Sequence, residues 1–217
     1  HVVGHAREPE EEVLLLRDAD GRPELIVCAV PFLRDRDLFR AVPGDSADER
    51  DRHLADGLRD HYRRCAEEAE RQRGGMDIPI VAMGHLFTSG GLTLRVGSLG
   101  QIDADVFSAS FEYVALGHLH VPQAVRGQER IRYCGSPLPM GFGEARQQKQ
   151  VCLVQCQGRA LTVRPLSVPV FQKLEQIRGD RDDIEARLDE LEAQREPIWG
   201  EVRHTGEGLA SDLRDRL

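Results

Sequence analysis

Two segments constrain this chain more than any others: Val81-Ala-Met-Gly-His85 and Tyr113-Val-Ala-Leu-Gly-His118-Leu-His120. Each is a short apolar run followed by Gly and His. A run of this length bounded by Gly fits a buried strand, and a strand that ends on His can present a metal ligand at its tip. Side chains two apart in extended chain share a face, so His118 and His120 are expected to point the same way. Gly84 and Gly117 are expected to let the backbone pass close to a ligand. A lone His after a strand is more often a hydrogen-bonded structural residue. Two copies of one pattern, one of them Gly-His-x-His, favour ligation instead. Imidazole is the commonest side-chain metal ligand, so His85, His118 and His120 make a divalent metal centre the first hypothesis. Three imidazoles alone would suit zinc.

The rest of the chain reads as strands, one long helix and loops. Residues 14–16 and 25–30 fit two strands joined by the turn Asp18-Ala-Asp-Gly21. Residues 47–73 carry Leu54, Leu58, Tyr62, Cys65 and Ala69 at helical spacing, and Gly74-Gly75 ends that helix. His53 and His61 fall on it and are expected to face solvent. A strand at 79–83 leads to His85, a loop-rich stretch with Gly90-Gly91 follows, and a strand at 113–116 leads to His118. Strands are expected at 131–134 and 151–155, with an irregular Pro- and Gly-rich segment between them and a hairpin partner at 160–166. Beyond residue 170 the composition shifts. A helix is expected over 181–195 through Ile184, Leu188 and Leu191, then a short strand ending near His204, then a helix start at 209–217. The class is α/β, with the histidines beyond strand ends, where open α/β sheets place ligands.

Length and charge narrow the field. The 217 residues suffice for one domain or two small ones. A net charge of −8 argues against a generally basic nucleic-acid binder. Residues 121–150 are locally basic, with Arg126, Arg130, Arg132, Arg146 and Lys149 against Glu129 and Glu144. Such a segment can meet phosphate, or it can be a solvated loop. Cys28, Cys65, Cys134, Cys152 and Cys156 are expected as reduced, buried thiols in a cytoplasmic protein. No apolar run reaches the roughly 18 residues a membrane span needs, and no secretory signal is expected. The first residues, His1-Val-Val-Gly-His5, read as an internal start. A two-metal centre also needs a bridging carboxylate. Asp103 and Asp105 lie between the His segments, while Asp18, Asp20, Asp35, Asp37, Asp45 and Asp48 read as turn or helix-start residues.

Four blocks carry a family resemblance: Pro31-Phe-Leu-Arg-Asp-Arg-Asp37, Gly84-His-Leu86, Tyr113 to His120, and Arg132-Tyr-Cys-Gly-Ser-Pro-Leu-Pro139. In these, over roughly residues 1–170, the chain resembles bacterial SbcD subunits of SbcCD DNA exonucleases, within the calcineurin-like metallophosphoesterase superfamily. The resemblance implies the C-terminal part of a four-layer β-sandwich nuclease core over 1–170, then the start of a small α+β capping domain over 171–217. It implies two Mn²⁺ ions in the complete protein, with His85 and His118 on one and His120 on the other. The remaining ligands, and the His that assists the leaving group, are expected upstream of His1. Arg126, Arg130, Arg132 and Ser136 are the candidate DNA contacts.

The implied partners are an SbcC ATPase, DNA ends and hairpins, and a second copy of the same chain within a heterotetramer, in the cytoplasm and off the membrane. By itself the 217-residue stretch is expected to bind metal weakly, to leave DNA uncut and to expose apolar sheet surface. Two other readings suit the same Gly-His segments: a phosphoesterase acting on a small phosphomonoester or cyclic nucleotide, and a non-catalytic interaction module. The basic segment and the Tyr133–Pro137 block favour DNA.

Overall fold

The computed structural model describes residues 1–39, 43–89, 93–95 and 104–206. Gly90, Gly91, Asp103 and the expected helix at 209–217 lie outside those residues. The chain divides into two units, one of His1–Ser136 with Gln150–Leu166 and one of Pro137–Lys149 with Ser167–Leu217.

The first unit begins with a short helix α1 (Pro9–Glu12), then strands β1 (Val13–Arg17) and β2 (Pro23–Cys28). These two pair antiparallel through the expected turn. Asp18 organises it: its Oδ1 accepts from Asp20 N at 2.9 Å and Arg22 N at 2.8 Å. Gly21 follows at φ 81°, a left-handed position that Gly occupies without steric cost. After α2 (Asp35–Leu38) comes the long helix α3 (Ala47–Arg73). Ser46 and Glu49 form a capping box at its start, and Gly74 ends it at φ 51° with its N–H on Glu70 O. Leu54, Leu58, Tyr62, Cys65 and Ala69 are all at most 2% exposed, so the helical periodicity names the core face. Each buried Leu on that face contributes about 1.5–3 kcal/mol.

The remaining strands of this unit are β3 (Ile80–His85), β4 (Phe87–Ser89), β5 (Thr93–Arg95), β6 (Tyr113–Gly117), β7 (Gln123–Val125), β8 (Gln128–Tyr133), β9 (Gln150–Gln157) and β10 (Ala160–Ser167). Six of the strands form one sheet in the order β1-β2-β3-β6-β8-β7, while β9–β10 and β4–β5 are separate two-stranded pairs. The steps β2–β3, β3–β6 and β6–β8 are parallel. This mixed α/β sheet buries Ile26, Cys28, Ile80, Ala82, Val114, Leu116, Ile131 and Tyr133 in one core with the apolar face of α3. On the other face Tyr113 is buried, but Val81 and Ala115 are half-buried and Met83 is exposed. Met83 is thus an apolar side chain displayed on a sheet face.

The second unit contains β11 (Lys173–Gly179), α4 (Arg181–Glu192) and β12 (Ile198–His204). The strands pair in parallel register from Lys173–Ile198 to Gly179–His204, so the helix is the crossover of a β-α-β unit. Asp180 and Asp183 form its capping box, and Ile177, Ile184 and Leu191 form its buried cluster. Among the described residues no helix is long and apolar enough to cross a membrane.

Three expectations are corrected. His61 does not face solvent: it is buried, and its Nε2 lies 2.7 Å from Glu12 Oε2. His61 lies three residues after Leu58 and four before Cys65, on the buried face of α3, where Glu12 of α1 meets it. Of the five cysteines Cys28 and Cys65 are buried, but Cys134 and Cys152 are only partly covered, and Cys156 is exposed, beyond the last partly covered position of β9. Strands β7 and β11 are additions, since Gln, Lys and Glu within them hide the alternation that marks a strand.

Gly84 has a packing reason that can be tested. A Cβ there would lie 2.2 Å from Tyr62 Oη, with Tyr62 Cζ at 3.5 Å. Gly84→Ala is expected to cost about 1–3 kcal/mol in chemical denaturation. In a Tyr62→Phe background, where the offending oxygen is gone, most of that cost should vanish. Equal costs in both backgrounds would rule out the clash.

Candidate metal centre

The parallel pairing of β3 and β6 brings the two Gly-His segments together. Register runs from Val81–Tyr113 to His85–Gly117, so both strands reach their carboxyl ends side by side. At that edge His85 Nε2 and His118 Nδ1 lie 3.3 Å apart, with the rings nearly perpendicular and their centroids at 5.2 Å. Two nitrogens bound to one ion at about 2.0–2.1 Å sit roughly 3.3 Å apart along a tetrahedral edge. The separation matches that edge, and it is equally the length of an N–H···N hydrogen bond between the two rings. Phe32 meets the His85 ring edge-on at 5.9 Å, which limits its rotation.

The backbone around His85 is anchored on both sides. Tyr62 Oη donates to Met83 O at 3.0 Å, and Tyr133 Oη donates to Leu86 O at 2.7 Å. Both rings are fully buried. Burial pushes the Tyr62 phenol well above its ordinary range, so it stays neutral and keeps its proton to donate. The two glycines make room for protein groups rather than for a ligand. Gly84 clears Tyr62 Oη, and a Cβ at Gly117 would approach His85 Nδ1 to 3.0 Å.

The alternation argument for His118 and His120 does not hold. β6 ends at Gly117, and His118 has φ 104°, outside extended backbone. This turn swings the His118 imidazole toward His85. His120 is exposed and close enough to bear on the protonation of His85. Its carbonyl accepts from Ser136 N at 3.2 Å, which fixes the loop after β6 against the segment after β8. Among the described residues, one set of three His, Cys, Asp or Glu donors lies within 4.8 Å of one another, and it is Glu12, His61 and Cys65. Neither His120 nor a carboxylate completes such a trio with His85 and His118. Asp105 lines a cleft with Arg59, Arg63 and Glu67.

The candidate DNA contacts fall in different settings. Arg126 is exposed at φ 50° in the β7–β8 turn. Arg130 Nη1 donates to Phe111 O at 3.3 Å and Ser108 O at 3.4 Å. Arg132 pairs with Glu129, and its buried Nε has no hydrogen-bond partner. Ser136 is buried. In the second unit Lys149 is also buried, donating to Glu144 Oε2 at 2.6 Å and Gln147 Oε1 at 2.9 Å. Arg146 is exposed. Arg130, Arg132 and Lys149 thus serve the fold as well as charge, which composition alone does not reveal.

A mixed α/β sheet that presents paired imidazoles at the ends of adjacent parallel strands defines an α/β protein with a candidate metal centre. Comparison with known proteins narrows this. Residues 170–217 match the family described as the type 5 capsule protein repressor C-terminal domain, SbcD_C. Over 224 aligned residues, 99% of this chain and 54% of the relative, it is 33% identical to the SbcD subunit of nuclease SbcCD from Escherichia coli (strain K12). It is 31% identical to the protein of that name in Rhodobacter capsulatus, over 88% of this chain and 50% of the relative. To that of Bacillus subtilis (strain 168) it is 37% identical, over 71% of this chain and 39% of the relative. The chain is SbcD-like, and it spans about half the length of the curated relatives it matches.

The centre's electrostatics give a pH prediction. His85 is held below its ordinary value of 6.5, first by desolvation and then by His118 and His120. A depressed folded value means the unfolded chain binds the proton more readily. This contribution to stability is therefore present above pH 6.5 and is lost as pH falls through the folded value. NMR titration of the metal-free protein should give a His85 midpoint below 6.5, and a midpoint at or above it would contradict the assignment.

Proposed function

We propose that this chain supplies the imidazole part of a two-metal phosphodiesterase centre in a DNA nuclease. His85 and His118 hold one ion and His120 its neighbour. The observation that carries this reading is the 3.3 Å approach of His85 Nε2 to His118 Nδ1 at the end of paired strands. It occurs in a chain similar along 99% of its length to a protein named as part of a nuclease. The ions of this reading are two Mn²⁺, in a centre that residues of the complete protein finish. The sheet then forms part of a four-layer metallophosphoesterase sandwich, and residues from 171 begin the capping domain.

When bound, the divalent ions polarise phosphoryl oxygens and generate a nucleophile from water at neutral pH. The residues of this chain hold the geometry. His85 stays neutral near pH 7, so its Nε2 lone pair is available. Phe32 packs edge-on against its ring, Gly117 leaves space for it, and the turn at His118 sets the second nitrogen. Arg126, Arg130, Arg132 and Ser136 are the residues that would meet phosphate, Arg126 being exposed. The relatives share a name that makes them the SbcD component of a nuclease SbcCD. That name supports an SbcC partner; an ATPase activity in that partner, DNA ends and hairpins as substrates, a dimer of this chain within a heterotetramer and a place in the cytoplasm are further parts of the proposal.

The test uses the full-length protein with its ATPase partner. His85→Ala and His118→Ala should each lower manganese-dependent cleavage of linear duplex DNA by at least about 100-fold, since even groups that only orient metal ligands cost 10–100-fold when removed. His53→Ala, at an exposed helix position, should leave the rate unchanged. Near wild-type cleavage by either of the first two variants would refute the ligand assignment.

A further inference from the structure

A second group of metal-ligating side chains lies inside the first unit, on elements that supply no ligand to the histidine centre. Glu12 ends α1 and is fully buried; His61 and Cys65, 8% and 0% exposed, stand one turn apart on α3. The i, i+4 spacing puts the imidazole and the thiol on one helix face. Glu12 Oε2 lies 2.7 Å from His61 Nε2 and accepts from Cys65 Sγ at 3.8 Å, while Oε1 accepts from Arg7 N at 2.6 Å. The position of Glu12 is fixed from behind, because its carbonyl accepts from Ala29 N at 2.8 Å. A second buried thiol, Cys28, donates to Cys65 O at 3.7 Å.

We propose that Glu12, His61 and Cys65 form a binding site for a borderline-soft divalent cation, with zinc the best match to a carboxylate, an imidazole and a thiol. Their ligand atoms lie within 4.8 Å of one another, and all three residues are buried. Charge supports the assignment. A fully buried carboxylate needs a positive partner. Among the hydrogen bonds and ion pairs of the described residues, none brings Glu12 a guanidinium or an ammonium. A bound cation would supply that charge. A dication with one carboxylate, one thiolate and a neutral imidazole forms a cluster of zero net charge, which suits an apolar interior.

Binding breaks the Cys65 S–H bond and forms a metal–sulfur bond, and the proton leaves to solvent together with any proton on His61. The Glu12–His61 contact is shorter than the roughly 3.3 Å edge of a zinc site. The carboxylate must therefore turn by about half an ångström as the ion enters.

Cobalt(II) substitution of the full-length protein reads this site apart from the histidine centre, because only a cysteine ligand gives thiolate-to-cobalt charge-transfer absorption. One equivalent of that band per chain is expected. It should persist in a His85→Ala/His118→Ala variant, disappear in Cys65→Ser and need at least about tenfold more cobalt in His61→Gln. No band in the wild-type protein, or a band that survives Cys65→Ser, overturns the proposal and leaves a buried hydrogen-bonded pair. If Cys65→Ser does not fold, zinc-edge absorption fine structure of the wild-type protein decides instead. A sulfur shell near the usual zinc–thiolate distance of about 2.3 Å supports the site, and a shell of nitrogen and oxygen only overturns it.

Discussion

The structure of the first unit depends on one carboxylate. Glu112, just before β6, accepts from Ile80 N through Oε2 at 2.7 Å, while its own N–H donates to Ile80 O at 2.9 Å. Side chain and backbone together pin the start of β3 to the start of β6. The other oxygen, Oε1, accepts from Arg73 Nη1 at 3.1 Å and from Arg159 Nε at 2.7 Å, tying in the end of α3 and the β9–β10 turn. Arg73 is itself buried and also pairs with Glu70, so no charge in this group is left uncompensated. Register follows from the clamp. A slip of one residue between parallel strands would turn every side chain to the opposite face, and His85 would leave the edge where His118 meets it.

From that register the rest of the centre is a matter of exclusion. The core face of β3 is filled by α3, so closely that position 84 has no space for a Cβ beside Tyr62. The opposite face carries Val81, Met83 and His85 in alternation. Buried phenols grip the backbone on both sides of His85, and the imidazole stands at the boundary between protein and water. A metal ligand needs this combination of a rigid base and an accessible nitrogen. The left-handed turn at His118 then supplies the second nitrogen from a neighbouring strand end. The hydrogen bond from Ser136 N holds the following residues in place.

Much of this is legible in the residues because it is local. The apolar spacing of α3, its Ser46 and Gly74 ends, the Asp18 turn and the apolar runs of β3 and β6 all read directly from the chain. Other features depend on partners distant in sequence. His61 lies at core spacing from Leu58 and Cys65 on a helix rich in charge, and its partner Glu12 is distant in sequence. The spacing His61-x-x-x-Cys65 is the local signal for a second ligand pair. Arg130 and Arg132 look like free cations until Phe111 O and Glu129 are placed beside them. His118 leaves the strand through its own positive φ, which alternation cannot anticipate. β7 and β11 hide behind polar residues whose pairing, not their composition, makes them strands.

The central claim is that the β3 and β6 strand ends jointly hold a divalent cation. Anomalous scattering at the manganese edge, on crystals of the full-length protein soaked in Mn²⁺, measures this directly. A peak within coordination reach, about 2.2 Å, of both His85 Nε2 and His118 Nδ1 is the expected result. Manganese peaks elsewhere in the molecule with none between these two nitrogens would contradict it.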